Sequence, residues 1–469
     1  MPILHRPLKA TFRAGCVVGL AALAAYGGRS KPPEGGVAPR APGTPPPRTI
    51  SAGPEFDAAR LYMQMGFLSA GAPLPFVGAV SYLATATQDS TDVMLGLSLA
   101  NASLSFVRDG DRFVGGYSVS ITLRQAGTVV REVSAHEAVR LASYKETSRI
   151  DESIVFQQGF VLAPGQYALA VSVRDDGNGR TSTQEMLLAV PRLGAAGTLS
   201  TPVPFLQVVP RRSRAAIAEL VSNPRATAVF GRDTAIVLYV EGYGDGARLP
   251  LSIEARNDLG RVLWRDTLSL PRHGDLFSGA VAVPVARIGI GVSVVSLWST
   301  GMADTTHAPV FITFGEGLPV AKFDDMLVYL RWFASPYRIK QLRDTTPEAR
   351  PAAWTAFVKA TDSDPVTPVN EDLVDYFSRL MVVTTRFKEE GTPGWLTDRG
   401  KVLLGLGEPD QIYDQGLAGV GNRGRSQVWE YRRLNSQFVF YDQTGFDRWR
   451  LTSSGEMEFQ AQWQRRVNR

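Results

Sequence analysis

The chain has 469 residues, enough for about three domains, and its 44% hydrophobic and 20% charged residues are typical of folded proteins. Residues 1–24 and 25–48 each carry a net charge of +3, which leaves residues 49–469 at −1 of the total of +5, so the folded part lacks the basic surface that a nucleic-acid partner requires. Cys16 is the single cysteine, which excludes an internal disulfide and a cysteine-based zinc site.

The first residues are arranged like a secretory signal peptide. A basic segment precedes the apolar run Ala14–Ala25, which is shorter than the roughly 20 residues of a membrane-spanning helix. Small residues fit cleavage after Ala24, so we predict a signal peptide at residues 1–24. The sequence LAAYGG resembles a bacterial lipoprotein box in which Tyr26 replaces the acceptor cysteine. Lipidation requires a thiol, which Tyr26 lacks. Contact with a membrane is therefore expected only if the N-terminal segment itself serves as the anchor.

Residues 25–50 are rich in proline, with seven prolines between Pro32 and Pro47. Such a composition cannot bury a core and favours extended conformations. We predict a disordered linker here, either a stalk that holds the folded part away from a surface or a generic leader.

Residues 51–200 are predicted to form a first β-sandwich domain. Val93–Ala100, Phe113–Gly127 and Thr128–Ala135 alternate or are rich in β-branched residues, as half-buried strands are. Asp175–Gly179, with the sequence DDGNG, has the composition of a hairpin turn. Because it lacks the spacing and the terminal Glu of a calcium-binding loop, we interpret it as a plain turn. The Pro-Gly turn before Tyr167 is typical of immunoglobulin-like modules.

Residues 201–316 repeat this pattern and are predicted to form a second β-sandwich domain. Strand-like segments cover Thr234–Asp245, Leu249–Leu270, Gly279–Thr300 and Pro309–Gly315. The second of these contains a hairpin around the sequence NDLG. We therefore expect two sandwiches in tandem, an arrangement that does not by itself assign a function.

Residues 317–469 change to helical periodicity. Phe323–Phe333, Glu348–Ala360 and Asp364–Glu390 are predicted helices, and the last has the clearest apolar face. Thr367 is the expected N-cap of this helix, with Pro368 at its first position. The residues expected on the apolar face are Leu373, Phe377, Leu380, Thr384 and Phe387. We predict an α+β domain with N-terminal helices and a small antiparallel sheet.

Two segments of this region carry a specific resemblance. DSDPVTPVNE includes Asn370 and Glu371, and GWLTDRGKVLLGLGEPDQI follows after the long helix. The second segment contains Gly394, Trp395, Thr397, Asp398, Gly407, Glu408, Pro409 and Asp410. Together they resemble the bacterial GWxTD domain, although Phe357-Val358 replaces the aromatic pair usual in that family. The resemblance implies an exported envelope protein with β-sandwich domains ahead of the motif, and no known activity.

Each unusual residue of the motif can be given a structural role. Gly394 is expected to adopt a positive φ, and Trp395 to be buried with its N–H bonded to an acceptor. Thr397 or Asp398 can cap the backbone that follows. Gly407 is expected to end the next apolar segment, which is either a strand or a helical turn. Pro409 favours an extended Glu408, and Asp410 can close the turn through a side-chain–backbone hydrogen bond.

A functional alternative stays open for the four motif carboxylates, Glu371, Asp398, Glu408 and Asp410. If they converge, they could perform acid–base chemistry or bind a metal. A nucleophilic triad has little support, because His136, His273 and His307 all lie in the predicted β domains. GxSxG, Walker, HExxH and CxxC motifs are absent from the sequence. We predict no catalytic residue, no metal site and no cofactor.

The sequence therefore predicts a non-enzymatic binding or scaffolding protein of the cell envelope, acting in an assembly or surface-transport complex with other envelope proteins. Its expected location is the periplasm, the outer membrane or the surface of a Gram-negative bacterium. The alternative is a hydrolase that acts on an envelope polymer through the motif carboxylates.

Overall fold

The computed structural model describes residues 57–147, 153–299, 305–367, 369–389, 391–416, 424–443 and 445–468. Residues 52–469 belong to one compact unit. The predicted signal peptide and proline-rich linker lie outside the described residues. Within the described ranges, no helix combines the length and apolarity needed to cross a bilayer.

The first part of the described chain is built from strands. These strands are β1 (Leu68–Ala70), β2 (Phe76–Ala84), β3 (Thr91–Ala100), β4 (Val107–Asp109), β5 (Arg112–Gln125), β6 (Thr128–Leu141), β7 (Ser153–Leu162), β8 (Gly165–Asp175) and β9 (Thr181–Val190). Two short helices accompany them, α1 (Ala58–Gln64) and α2 (Tyr144–Thr147).

These strands form two sheets that share one apolar core. The order is β1-β2-β3-β7 in one sheet and β4-β5-β8-β9 in the other, with β6 paired to β5. Side chains of β3 such as Leu97 and side chains of β5 such as Ile121 belong to the same buried cluster. The predicted hairpin at Asp175–Gly179 is confirmed, since it joins β8 to β9. The phenol of Tyr167 donates to the carbonyl oxygen of Ala163 at 2.9 Å and fixes the Pro-Gly turn.

Nine further strands lie within the described residues of the second part. They are β10 (Val203–Val209), β11 (Glu219–Ser222), β12 (Thr227–Val229), β13 (Ala235–Gly242), β14 (Arg248–Asn257), β15 (Val262–His273), β16 (Leu276–Pro284), β17 (Gly291–Trp298) and β18 (Thr305–Thr313). They follow the order β11-β10-β13-β16-β15-β14-β17-β18-β12, and all neighbours are antiparallel except β12 and β18.

The predicted segments of this part agree with the observed strands except at one point. The hairpin between β14 and β15 forms where the sequence NDLG lies, as predicted. The segment Gly279–Thr300 is not a single strand, because the helical turn α3 (Val285–Ile288) separates β16 from β17. Gly289, at a φ of 72°, ends this turn.

A buried ion pair lies at the junction of the two β parts. Arg211 donates from Nε and Nη2 to the carboxylate of Glu241, at 2.8 and 2.6 Å, and from Nη2 to the carbonyl oxygen of Ala84 in β2 at 2.8 Å. Tyr239 and Tyr243 donate to the same carboxylate at 2.8 and 2.9 Å. Burial raises the pKa of Tyr243, and the charge of Glu241 raises it further, which keeps this phenol a donor. These hydrogen bonds therefore connect β2 to the second part.

Where the structure describes it, the third part combines six α-helices with a small sheet. The helices are α4 (Phe323–Tyr329), α5 (Pro336–Arg343), α6 (Arg350–Thr361), α7 (Glu371–Arg386), α8 (Asp398–Leu406) and α9 (Ser453–Val467). The strands are β19 (Gln411–Gly416), β20 (Arg425–Tyr431), β21 (Ser436–Asp442) and β22 (Arg450–Leu451), paired in that order and all antiparallel.

The core of this part is continuous with that of the second part. The indole N–H of Trp354 in α6 donates to the carbonyl oxygen of Phe314 at 2.7 Å, and the two rings meet edge to face. Trp463 of α9 donates in the same way to the carbonyl oxygen of Trp332, at 3.0 Å. One buried cluster consequently extends from β13 to α9.

Helix α7 begins three residues later than the sequence indicated. Its N-cap is Asn370, whose side-chain oxygen accepts from the N–H of Leu373 at 2.8 Å, so the predicted cap at Thr367 is wrong. Pro368 lies outside the described residues. Asn370 rather than Thr367 caps the helix because its amide also donates to the carbonyl oxygen of Val358 at 3.0 Å. This second bond connects the cap to α6. The predicted apolar face is confirmed, with Leu373 among its buried residues.

The protein is mostly β, with several sheets and a helical C-terminal part, as the sequence predicted at this level.

Candidate functional site

The motif residues lie where the helices of the third part meet its sheet. A 3₁₀ turn at Gly394–Leu396 follows α7 and leads directly into α8. Residues 407–410 then connect α8 to β19. The motif therefore forms the connection between helical and sheet layers.

Gly394 is required for close packing and not for an unusual φ. Its φ is not positive, so the expected left-handed conformation is wrong. A Cβ atom at this position would overlap the carbonyl oxygen of Val383 in α7, and one at Gly400 would overlap the carbonyl oxygen of Gly394. Two glycines thus allow α7, the 3₁₀ turn and α8 to approach one another through their backbones.

Trp395 fills the space that this approach encloses. It is fully buried, and its ring meets that of Tyr329 edge to face at 5.6 Å between centroids. The expected acceptor is missing, because its indole N–H has no hydrogen-bond partner among the described residues. The carbonyl oxygen of Tyr329 already accepts the phenol of Tyr376 at 2.6 Å. Trp395 therefore stabilises the fold mainly through the apolar area that its indole buries.

Thr397 and Asp398 have separate roles at the start of α8. The hydroxyl of Thr397 accepts from the N–H of Gly400 at 3.1 Å and donates to the carbonyl oxygen of Gly394 at 2.7 Å, so Thr397 is the N-cap. Asp398 reaches further along the chain, and its Oδ2 accepts from the N–H of Leu451 in β22 at 2.8 Å. Its Oδ1 lies 3.4 Å from Nζ of Lys401.

The segment after α8 is held by both backbone and side-chain bonds. Gly407 ends the helix at a φ of 91°, and its carbonyl oxygen accepts the phenol of Tyr431 at 2.8 Å. The N–H of Asp410 donates to the carbonyl oxygen of Glu430 at 2.8 Å, and its Oδ2 accepts from the N–H of Arg432 at 2.7 Å. Asp410 thereby attaches the start of β19 to the end of β20.

Glu371, Glu408 and Pro409 complete the set of motif residues. Glu371 is exposed in the first turn of α7, where a negative charge is favoured by the helix dipole. Glu408 is exposed and Pro409 half-buried. The charges of Glu408 and Asp410 add to the effect of burial in raising the pKa of Tyr431.

The motif carboxylates therefore serve different parts of the chain. Asp398 bonds to β22, Asp410 to the end of β20, and Glu371 lies at the start of α7. Within the described residues there is no group of three His, Cys, Asp or Glu side chains suited to holding a metal ion. Hollows of about 340 Å³ and 190 Å³ lie elsewhere, and neither is lined by a motif carboxylate.

The tail segments RGRSQVWEYRRL and FDRWRL, rich in arginine and aromatic residues, indicate either a contact surface or the alternate faces of one sheet. The structure places two of their residues in an arginine–aromatic cluster next to the motif. It consists of Arg399, Phe387, Trp449 and Arg425. The guanidinium of Arg399 in α8 lies 4.9 Å from the ring centre of Phe387 and 4.7 Å from that of Trp449. Arg425 of β20 lies 5.3 Å from the ring centre of Trp449. The sequence signal was the repeated pairing of Arg with aromatic residues after position 424, which does not reveal which ring each Arg contacts.

Glu389 holds this cluster in place. Its carboxylate accepts from the N–H of Trp449 at 3.0 Å and from Arg450 at 2.9 Å. Burial lowers the pKa of Arg399, an effect that the charge of Glu389 opposes. Among the described residues Arg399 has no carboxylate within ion-pair distance, since its contacts are with aromatic rings. Arg425, by contrast, forms ion pairs with Asp442 at 2.9 Å and with Asp447 at 2.6 Å.

None of the three histidines that the structure describes has the geometry of a nucleophilic triad. His136 lies near Ser118 and Asp176, but both side chains face its Nδ1, at 3.4 and 3.0 Å. Ser118 donates to Asp176 at 2.9 Å, whereas a triad requires Ser and Asp on opposite ring nitrogens. His273 and His307 each contact a serine, with no carboxylate within ion-pair distance in the described part of the chain.

Comparison with known proteins identifies no family. No protein-family model matches the chain, and no curated protein matches it. Among solved structures, dimeric latent PorU from Porphyromonas gingivalis shows 10% identity and a TM-score of 0.23, over 50% of this chain and 20% of PorU.

Two β-glucuronidases are also similar in part. The Bifidobacterium dentium enzyme in complex with coumarin-3-O-glucuronide shows 11% identity and a TM-score of 0.17, over 56% of this chain and 46% of that one. Bacteroides uniformis β-glucuronidase 2, covalently bound to cyclophellitol-6-carboxylate aziridine, shows 12% identity and a TM-score of 0.16, over 64% and 40%. The chain spans less than half the length of all three structures, and such low scores support neither a fold nor an activity.

Proposed function

We propose that this protein is a non-enzymatic binding or scaffolding protein of the cell envelope, and that its C-terminal third is a GWxTD domain. The observation that carries the proposal is that the motif side chains hold backbone in place. Asp398 accepts from Leu451, Asp410 accepts from Arg432, and Thr397 caps α8. Side chains engaged in this way stabilise a chain reversal.

The proposed architecture has three parts. Residues 51–200 and 201–316 form two β-sandwich domains, and residues 317–469 form the GWxTD α+β domain. The support for the first sandwich is the single apolar cluster that both of its sheets share. The support for the third part is the order of helices followed by the antiparallel sheet β19-β20-β21-β22.

The proposed location is the periplasm, the outer membrane or the surface of a Gram-negative bacterium. It rests on the signal-like N-terminal sequence and the proline-rich segment that follows it. The proposed partners are other envelope proteins. They are expected at the third part, which carries the arginine–aromatic cluster and the exposed apolar residues Phe446 and Met457. Arginine and aromatic side chains are enriched in protein interfaces.

Site-specific crosslinking in the bacterium of origin tests this proposal. A photo-crosslinking amino acid is placed at Met457 in α9 or Tyr413 in β19, and at Leu187 in β9 as the exposed control position. We expect a discrete set of envelope proteins at the first two positions and not at the third. Mass spectrometry of the mature N-terminus reports whether cleavage follows Ala24.

The carboxylate variants Glu408→Gln and Asp410→Asn distinguish a scaffold from the alternative hydrolase. A scaffold keeps its crosslinks, and cells carrying the folded variants behave like wild type. A hydrolase would lose turnover of an envelope polymer in a variant that stays folded and located as before. That outcome, or a chain retained in the cytoplasm, would contradict the proposal.

A further inference from the structure

The strand β6 has a long open edge. It has 14 residues, about 45 Å of extended chain at roughly 3.3 Å per residue, and it pairs with β5 but with no other strand of the described chain. None of its residues is fully buried. Antiparallel pairing uses the N–H and C=O groups of alternate residues, so the remaining groups of β6 point away from β5.

The sequence of β6 leaves much of this edge open to pairing. Exposed edge strands are commonly protected by proline, by a bulge or by charged side chains, above all lysine. β6 contains no proline and no lysine, and its charged residues are of both signs. Its one register shift lies near its start, at Val130, and the pairing from Arg131 to Leu141 is regular. This regularly paired segment of 11 residues is long enough to pair with another strand.

Four charged side chains of β6 lack an ion-pair partner within the described ranges. Arg131, Glu132, Glu137 and Arg140 form no salt bridge with any other described residue. His136 lies beside Asp176, at 3.0 Å. Two positive and two negative side chains thus lie along the edge strand in the order Arg, Glu, Glu, Arg, and their net charge is zero.

The order of these charges is complementary to itself in the antiparallel direction. If two copies of β6 are related by a two-fold axis at Ser134, Arg131 faces Glu137 of the second copy. Glu132 then faces His136 of the second copy. Each pair occurs twice because of the symmetry. Opposite charges at directly facing positions stabilise an antiparallel pair, and like charges destabilise it.

We propose that the protein forms a homodimer in which β6 of one copy pairs antiparallel with β6 of a second copy about Ser134. The pairing joins the two β5–β6 sheets into one continuous sheet. A two-fold axis at His136 would instead place Glu132 opposite Arg140 and leave Arg131 opposite Leu141. The axis at Ser134 is favoured because it matches both Arg131 and Glu132 with complementary side chains.

Sedimentation velocity of the full chain between 1 and 100 µM tests the proposal by charge exchange. Arg131→Glu and Glu137→Arg each place like charges opposite one another at two positions. Each is expected to raise the dimer dissociation constant roughly tenfold or more. The double variant R131E/E137R restores opposite charges in the reversed sense and is expected to recover dimerisation.

Two control variants show whether a change in the dimer dissociation constant depends on the proposed interface. Glu185→Arg changes an exposed residue of β9, outside the proposed interface. Arg140→Glu changes a residue that faces Thr128 of the second copy. Both are expected to leave the dissociation constant within about twofold of wild type. Equal weakening by R140E, or no recovery in the double variant, would overturn the proposal, as would a wild type that is monomeric at 100 µM.

Formation of an intermolecular disulfide tests the proposal independently of the charge variants, and so applies even if one of them fails to fold. Ser134→Cys in a Cys16→Ser background places the two thiols at the two-fold axis, where facing Cα atoms of an antiparallel pair are about 4.5–5.5 Å apart. Mild oxidation should give a covalent dimer rapidly at low protein concentration. Thr183→Cys on β9 is the control and should not. Equal rates for the two variants would overturn the proposal.

Discussion

The carboxylate of Asp398, at the start of α8, accepts a hydrogen bond from the N–H of Leu451, in the last strand of the sheet, at 2.8 Å. The two residues are 53 positions apart in the chain. This bond connects the motif to β22, so the acid at this position supports tertiary structure. The same is true of Asp410, whose Oδ2 accepts from Arg432 across the start of the sheet.

Removing the Asp398 carboxylate is expected to loosen β22. Asp398→Ala leaves the partly buried N–H of Leu451 without its acceptor, which costs about 1–3 kcal/mol in the free energy of unfolding. Hydrogen exchange should be faster at Leu451, and urea unfolding should shift to lower concentration. Glu408→Ala, at an exposed position, is the matched control, with a change within about 0.5 kcal/mol. Unchanged exchange at Leu451 would show that the bond contributes nothing.

A methyl group at Gly394 is expected to disrupt the packing of α7 against the 3₁₀ turn. Gly394→Ala places a Cβ against the carbonyl oxygen of Val383, where the backbone cannot move aside without shifting α7. We expect a loss of more than about 3 kcal/mol, since overpacking at a backbone contact is among the costly changes. Thermal unfolding followed by circular dichroism measures it. Gly159→Ala in β7 is the control, because a Cβ there meets no atom within 4 Å.

Breaking the ion pair between Arg211 and Glu241 is expected to destabilise the junction of the two β parts strongly. Both side chains are at most 2% exposed, so Glu241→Ala leaves an uncompensated buried guanidinium, at a cost of about 3–5 kcal/mol. Calorimetry should show a lower transition temperature. The matched control is Asp89→Asn, which breaks the exposed pair with Arg192 and should cost at most about 1 kcal/mol.

A double-mutant cycle checks that the effect belongs to the pair. Arg211→Met with Glu241→Leu removes both charges, and the double variant should be more stable than Glu241→Leu alone. If the losses of unfolding free energy in the two single variants simply add, the interaction between Arg211 and Glu241 does not contribute to stability.

The bond between Lys401 and Glu456 makes the stability of the third part depend on pH. Burial alone would raise the pKa of Glu456, but the hydrogen bonds from Lys401 and Gln460 and the charge of Lys401 outweigh it, and the pKa lies below its ordinary value of 4.5. A carboxyl with a lowered folded-state pKa stabilises the protein above the unfolded-state pKa. That contribution is lost as the pH falls through the folded-state pKa.

Glu456→Gln tests this dependence. The variant should be less stable than wild type at pH 7, and its stability should fall less steeply as the pH drops below about 4.5. Urea unfolding of both proteins at a series of pH values measures the two slopes. Parallel slopes would contradict the assignment of this dependence to Glu456.

Local patterns were sufficient for many elements of the fold. The period-two alternation of β5 and β8 and the DDGNG turn predicted a hairpin-rich first part, and both are observed. The apolar face of α7 follows from its 3.6-residue spacing. Such features depend on residues close in sequence, which is why one chain without further information suffices to predict them.

Local signals were ambiguous where two residues or two conformations satisfy the same rule. Thr367 and Asn370 are both good N-cap residues, and only the contact of Asn370 with α6 selects it. Glycine permits both a positive φ and close backbone contact, so Gly394 could not be assigned from its type alone. The contact with Val383 decides in favour of close packing.

By itself, the sequence determined the succession of β-rich and helical parts, the turn at Asp175 and the capping chemistry around Thr397. These depend on side-chain periodicity and on bonds within a few residues. Only the tertiary structure decided that Glu241 forms an ion pair with Arg211, 30 positions earlier, and that Asp398 bonds to β22. The same holds for the contacts of Arg399 with the rings of Phe387 and Trp449. The partners of a buried polar group are selected by which distant segments pack together, and that selection leaves no periodic trace in the chain.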